Sequence, residues 1–269
     1  MKKLFGTDGM RGAAGIFPLD AETVKIVGAS LASQIKQKNQ KTPKFVIGRD
    51  TRESGSWLET AFCEGATSQG AECISAEIIT TPAVAFLTKD LQADAGIVVS
   101  ASHNPFEDNG IKIFTDSGRK LDEATESRIE KDIHETKFDF QSSNGVSKSE
   151  FSFVELQNIY LDYLAKEFEN LRLDDLKIVV DCANGAASNL APRLFERLGA
   201  KVTAIYDKPN GRNINDDCGS LHLNKLQSKV LTENAGFGVA FDGDADRALF
   251  VDGNGNLVDG DATLWAMAC

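Results

Sequence analysis

Short runs of β-branched and apolar residues alternate along the chain with longer stretches whose apolar positions recur at helical spacing. In the first half, KFVIG (44–48), AECISAEII (71–79), AGIVVS (95–100) and IKIF (111–114) predict strands. The segments between them predict helices. ETVKIVGASLASQIKQ is led by Asp20 as an N-cap, and WLETAFCEGATSQG closes on Gly70 just past its last turn. A third helix starts at Thr81-Pro82, read as a cap followed by a proline at the first helical position, and EATESRIEKDI ends the series. The polar, Ser- and Gly-rich stretch FQSSNGVSKSE (140–150) predicts a linker.

The pattern then runs a second time. Helix FVELQNIYLDYLAKEF leads to strand LKIVVDC (176–182), helix NLAPRLFERLG and strand KVTAIY. Helix LNKLQSKVLTEN and strand FGVAFD (237–242) follow, and RALFVDGNGNLVDG (247–260) predicts a hairpin turning at Asn254-Gly255. Helices alternating with strands imply right-handed crossovers. The expected fold is two successive α/β domains with mixed, mostly parallel sheets, over residues 1–148 and 149–258. A helix beginning at Asp261 would open a third domain at 259–269, and the sequence stops about two turns into it. Such an ending reads as a truncation.

Composition narrows the setting. With 29 Lys and Arg against 40 Asp and Glu the net charge is −11, and no basic run offers a grip on nucleic acid. An anionic ligand must therefore be held by local positive groups against the overall field. Five cysteines without a CxxC pair predict reduced thiols. No apolar stretch approaches a membrane span and no signal-peptide core follows Met1, so the expectation is a cytoplasmic protein with no membrane partner.

FGVAFDGDADRALFVD carries the strongest chemistry. Asp242, Asp244 and Asp246 stand two apart directly after an apolar strand. Carboxylates so close repel one another unless a cation neutralises them, and a tight loop can aim all three at one hard divalent ion. An EF-hand loop is excluded, because Arg247 stands at the sixth position and Gly253 at the twelfth. Mg²⁺ is favoured over Ca²⁺, since three protein oxygens leave positions for phosphate or water.

The second candidate is Ser102 in VVSASHNPFEDNGIK. His103 is adjacent, so its side chain is badly placed as a base for that serine, and no GxSxG elbow is present. The structural alternative is that Ser102 caps the turn after its strand. Both loops leave the carboxyl ends of strands, where ligands bind in open α/β sheets. A hydroxyl beside a divalent-metal site is a natural phosphoryl acceptor and donor. Weaker signals are Arg11 in the Gly-rich FGTDGMRG (5–12), Lys112 ten residues past Ser102, and DCANGAAS (181–188), which suits either an anion turn or tight packing. Arg49, Asp50 and Arg52 fit an internal ion pair as well as ligand contact. His134 reads as solvated, and His222 favours neither role.

SASHNP, FGTDGMRG and FDGDADR, in this order and spacing, resemble the α-D-phosphohexomutase family over essentially the whole chain. The resemblance implies four domains in the full family pattern, the first two being present here. It makes Ser102 a phosphoserine whose phosphate joins Asp242, Asp244 and Asp246 around one Mg²⁺. It places Arg11, His103, Lys112 and Arg247 around that phosphate, with Lys112 as the acid–base candidate. The FGTDG-x-RG start is similar to the amino-sugar branch, isomerases that interconvert glucosamine 6-phosphate and glucosamine 1-phosphate through glucosamine 1,6-bisphosphate, for UDP-N-acetylglucosamine and cell-wall precursors. Phosphomannomutase or phosphoglucomutase activity, a phosphatase-like hydrolase, and a non-catalytic metal- or phosphosugar-binding module are the alternatives. A homodimer is compatible with this reading. CGSLHLN departs from the family's usual CGSTHPE, and the resemblance implies that the sugar-reading and phosphate-binding loops belong to later domains, which the expected truncation would remove. The expectation is an intact metal and phosphoserine half-site with impaired turnover.

Overall fold

The computed structural model describes residues 3–136, 138, 140 and 151–268, so the predicted linker, apart from Phe140, lies outside the described residues. The chain divides into two compact units, Met1–Ala101 with Glu107–Gln157, and Ser102–Phe106 with Asn158–Cys269. Each is an α/β unit built on a five-stranded mixed sheet.

The first unit contains β1 (Met10–Ala13), α1 (Ala21–Asn39), β2 (Lys44–Arg49), α2 (Gly55–Ser68), β3 (Glu72–Ile78), α3 (Thr81–Asp90), β4 (Ala95–Val99), β5 (Asp108–Thr115) and α4 (Glu123–Glu135). Helix α5 (Phe153–Glu167) runs on into the second unit. The sheet order is β1-β5-β4-β2-β3. Strands β4, β2 and β3 pair in parallel, while β5 runs antiparallel to both neighbours. Four of the five strands therefore point the same way. Val24, Val27 and Leu31 of α1 and Leu58 and Phe62 of α2 share a sealed core with Phe45, Ile47, Ile97, Val99 and Ile111 of the sheet. Each such side chain contributes roughly 1.5–3 kcal/mol on burial, which explains why the apolar stripes of the sequence fall on these faces.

Two local signals behave as predicted. Asp20 accepts a hydrogen bond from the Thr23 amide at 2.9 Å, capping α1, and Gly70 takes a left-handed φ of 85° after α2. Two do not. The N-cap of α3 is Thr80, so Pro82 occupies the second helical position instead of the first. The shift is free, because no amide in a first turn has an intrahelical partner to lose. Strand β1 falls inside the stretch that reads as a Gly-rich loop. Met-Arg-Gly-Ala has no β-branched residue, and it becomes a strand by adding to the free edge of β5, with Met10 fully buried.

The second unit contains the rest of α5, then β6 (Lys177–Asp181), α6 (Ala187–Arg197), β7 (Lys201–Ile205), α7 (Asn224–Glu233), β8 (Phe237–Phe241), β9 (Ala248–Asp252), β10 (Leu257–Val258) and α8 (Gly260–Ala268). Its order, β10-β9-β8-β6-β7, repeats the first: a parallel trio with β6 in the middle, then a single reversed strand, β9. Ile178, Val180 and Val239 fill one face under α6, and Val179, Ala240 and Val251 fill the other under α7. The predicted hairpin is present. Asp252 organises it by accepting hydrogen bonds from the amides of Asn254 and Asn256, and Gly255 supplies the positive φ. Among the described residues no helix is long and apolar enough to cross a membrane.

Candidate functional site

The second unit brings Ser102, His103, Asp242, Asp244, Asp246 and Arg247 together. Strand β8 delivers Asp242 at its carboxyl end, and the loop 242–247 returns directly into β9, closed by the Phe241–Ala248 pair. Asp242 builds the loop as well as facing the site. Its carbonyl accepts from the Ala245 amide at 3.1 Å, and its Oδ1 accepts from the Arg247 amide at 3.2 Å. Ala245, between Asp244 and Asp246, takes a left-handed φ of 55°. One oxygen from each of the three carboxylates lies within 4.8 Å of the others. Asp242 and Asp244 are sealed from solvent, and Asp246 is exposed.

Burial, with repulsion from Asp244 added, pushes the Asp242 carboxyl up to about 6, although the Ser102 hydroxyl opposes the shift. The donor set is all carboxylate oxygen, compact and partly desolvated. That suits a hard divalent cation and can hold a metal ion.

Ser102 is fully buried and sits in left-handed backbone, φ 56°. Its hydroxyl donates to Asp242 Oδ2 at 2.6 Å. His103 Nδ1 lies 3.3 Å from the Ser102 Oγ and 3.3 Å from an Arg247 guanidinium nitrogen. A guanidinium can only donate, so Nδ1 accepts from Arg247. With the serine proton aimed at Asp242, His103 is not poised to remove it. Adjacency in sequence already argued against a Ser–His pair, and the geometry gives the reason.

Arg11 and Lys112 belong to the first unit. Arg11 lies on β1 opposite Gly110 and pairs with Asp8 at 3.4 Å, while Lys112 sits on β5 opposite Val98 and is buried. Arg49, half-buried, pairs with the buried Glu59 at 2.9 Å, and Arg52 pairs with Asp50, both buried, so this loop does carry internal ion pairs. DCANGAAS is tight packing. A Cβ on Gly185 would lie 2.3 Å from the Gly243 carbonyl, and the Ala186 amide donates to that carbonyl at 2.8 Å. His134 ends α4 exposed, and the exposed His222 stands 3.9 Å from Asp217.

Sequence reasoning passed over Asn215, whose side-chain amide donates to the carbonyls of Ser102 and Asn104 at 2.9 and 3.1 Å. The only signal was its place in the turn-rich NINDDCGS stretch.

Residues 2–140 match the family model for the α/β/α domain I of phosphoglucomutase/phosphomannomutase, and residues 158–255 match the model for domain II. The chain belongs to the phosphoglucomutase/phosphomannomutase family. A phosphoglucosamine mutase of Deinococcus deserti is 47% identical over 98% of this chain and 59% of its own length. The chain thus spans about 59% of that curated relative. A crystal structure of a phosphoglucomutase/phosphomannomutase family protein from Burkholderia thailandensis is 26% identical, with a TM-score of 0.82, over 99% of this chain and 58% of that one. The N-acetylphosphoglucosamine mutase of Aspergillus fumigatus, solved with GlcNAc-6P and magnesium, shares the fold at a TM-score of 0.55 and 17% identity, over 96% and 52% of the two chains.

Proposed function

We propose that this chain carries the phosphoryl-transferring part of a phosphoglucosamine mutase, which interconverts glucosamine 6-phosphate and glucosamine 1-phosphate. The observation that carries the proposal is the 2.6 Å hydrogen bond from Ser102 to Asp242, inside a loop whose three carboxylates converge. A buried hydroxyl against a divalent-cation site is suited to receiving and releasing a phosphoryl group. The 47% identity to a phosphoglucosamine mutase supports the choice of sugar.

In this reading Asp242, Asp244 and Asp246, with an oxygen of phosphorylated Ser102, would hold one Mg²⁺. Bound there, Mg²⁺ would supply charge neutralisation to the transferring phosphoryl group. The phosphoryl group leaves the Ser102 oxygen for the sugar's 1-hydroxyl, whose proton passes to Lys112. The bisphosphate then returns its 6-phosphoryl group to Ser102, and the freed 6-oxygen takes the proton back. Arg11 and Arg247 supply positive charge to the phosphate, and His103 a ring N–H donor, in a chain whose net charge is −11.

The test is intact mass after incubation with glucosamine 1,6-bisphosphate and Mg²⁺. The chain should gain one phosphoryl group, and Ser102→Ala should gain none. Equal labelling of both, or no labelling of a chain that binds Mg²⁺, overturns the proposal.

A further inference from the structure

We infer that Asn215 is a positioning residue that latches the serine loop against the carboxylate loop. Its catalytic consequence rests on the phosphoryl-transfer reading above; its geometry does not. The Asn215 Nδ2 donates both protons, one to the Ser102 carbonyl at 2.9 Å and one to the Asn104 carbonyl at 3.1 Å. Both acceptors are carbonyl oxygens, so only the NH₂ end of the amide can face them. Beside Asn215 the Ser102 carbonyl also meets Gly243, where a Cβ would stand 2.6 Å from that oxygen and 3.0 Å from the Asn215 Nδ2. The carbonyl before His103 is thus held by the side chain of Asn215 next to the backbone of the metal loop, where only a glycine leaves room for both.

The grip has a rigid base. The Asn215 amide donates to the Ala183 carbonyl at 2.9 Å. Asp181, at the end of β6, accepts from the amides of Ala183 and Gly219 at 2.9 and 3.0 Å. Asn184 donates to the Asn213 carbonyl at 3.1 Å. Ser102, Ala183, Asn184, Asn215 and Ala245 all have positive φ. Such backbone persists only where its surroundings over-determine it. For Ser102 a restraint falls on its own carbonyl, which fixes the direction of the following turn and of the hydroxyl. An amide is the right group here, because an acid would present lone pairs to two carbonyls and add a fourth negative charge beside the triad.

Two substitutions separate donation from shape. Asn215→Gly keeps the left-handed φ without cost and removes the side chain. Asn215→Asp keeps shape and φ tolerance but exchanges the donors for acceptors. Amide hydrogen exchange, read by mass spectrometry on residues 100–107 of the full chain, should accelerate about tenfold or more in the glycine variant, as expected for losing two ordinary hydrogen bonds. The aspartate variant should exchange faster still, while other peptides of the second unit change by less than about twofold. The rate of phosphoryl loading from glucosamine 1,6-bisphosphate should fall about tenfold, with the half-saturating concentration little changed, as expected for lost positioning without lost binding. Unchanged exchange at 100–107 in either folded variant, or an aspartate variant that matches the parent, overturns the inference. If the parent chain does not load at all, the phosphoryl-transfer reading fails, and the exchange result still decides the latch.

Discussion

Gly65→Ala places two opposing effects at one atom. Alanine is the better helix former by roughly 0.5–1 kcal/mol, so local propensity alone says that α2 should gain stability. The packing says the reverse. A Cβ at Gly65 would stand 1.9 Å from the Lys25 carbonyl oxygen of α1 and 2.7 Å from its carbonyl carbon. Carbon and oxygen in close contact sit about 3.3 Å apart, so the helices would have to separate by roughly 1.4 Å at this point. No rotamer change can relieve a clash with backbone. Gly28 makes the reciprocal approach, with its Cβ position 2.2 Å from the Phe62 carbonyl, so α1 and α2 touch backbone to backbone in two places. A gap of even 0.5–1 Å forfeits a quarter to a half of the dispersion well per contact, and overpacking costs about 1–3 kcal/mol or more. The core at risk includes Leu31, Leu58 and Phe62. Packing should win, with a net loss of about 2 kcal/mol. Urea unfolding followed by circular dichroism measures it, with Gly260→Ala as the control. Nothing lies within 4 Å of that Cβ position, so only propensity acts there and the change should be neutral or slightly stabilising. A Gly65→Ala chain that unfolds at the parent's urea concentration would refute the close-approach argument.

Two further outcomes follow from the second unit. Asp181 is buried, and its carboxyl is pushed up to about 6 by desolvation, against two backbone donors that favour the charged form. A raised folded-state value means that the stability it contributes is complete below about pH 4 and is lost as pH rises through about 6. From an ordinary value near 3.9, at about 1.36 kcal/mol per unit, the window is worth roughly 2–3 kcal/mol. Asp181→Asn should therefore flatten the stability profile between about pH 4 and 7, and a parallel profile in urea titrations would count against the burial argument. Asp244→Asn removes a charge from a sealed ligand oxygen set, and calorimetric titration should show Mg²⁺ binding weakened by at least about tenfold. Unchanged binding would place the cation elsewhere.

The alternation of strands and helices was readable because the central strands are short apolar runs covered on both faces and the helices between them carry one apolar stripe, and burial imposes both patterns directly. Strand β1 was not readable, since its pairing comes from the free edge of β5 and not from its own residues. The three carboxylates could be found because they cluster within five residues and offend electrostatics in any conformation. Asn215 could not. Its function depends on two carbonyls more than a hundred residues away in sequence, and a lone asparagine in a polar turn carries no mark of that.

The two sheets also explain why both loops can hold strained backbone. Each loop begins at the carboxyl end of the strand beside the one reversed strand, β4 next to β5 and β8 next to β9. An antiparallel return means that both ends of the loop enter a ladder. The loop 242–247 is clamped by the Phe241–Ala248 pair, and the segment after β4 is clamped by Val99 opposite Ile111 and by the Ser100 amide on the Gly110 carbonyl at 3.0 Å. A crossover to a parallel strand would have placed a helix after the loop and anchored only one end. With both ends fixed, left-handed residues such as Ser102 and Ala245 can be held at a modest cost. The reversed strand in each unit is therefore what lets a short loop present its side chains in one fixed direction.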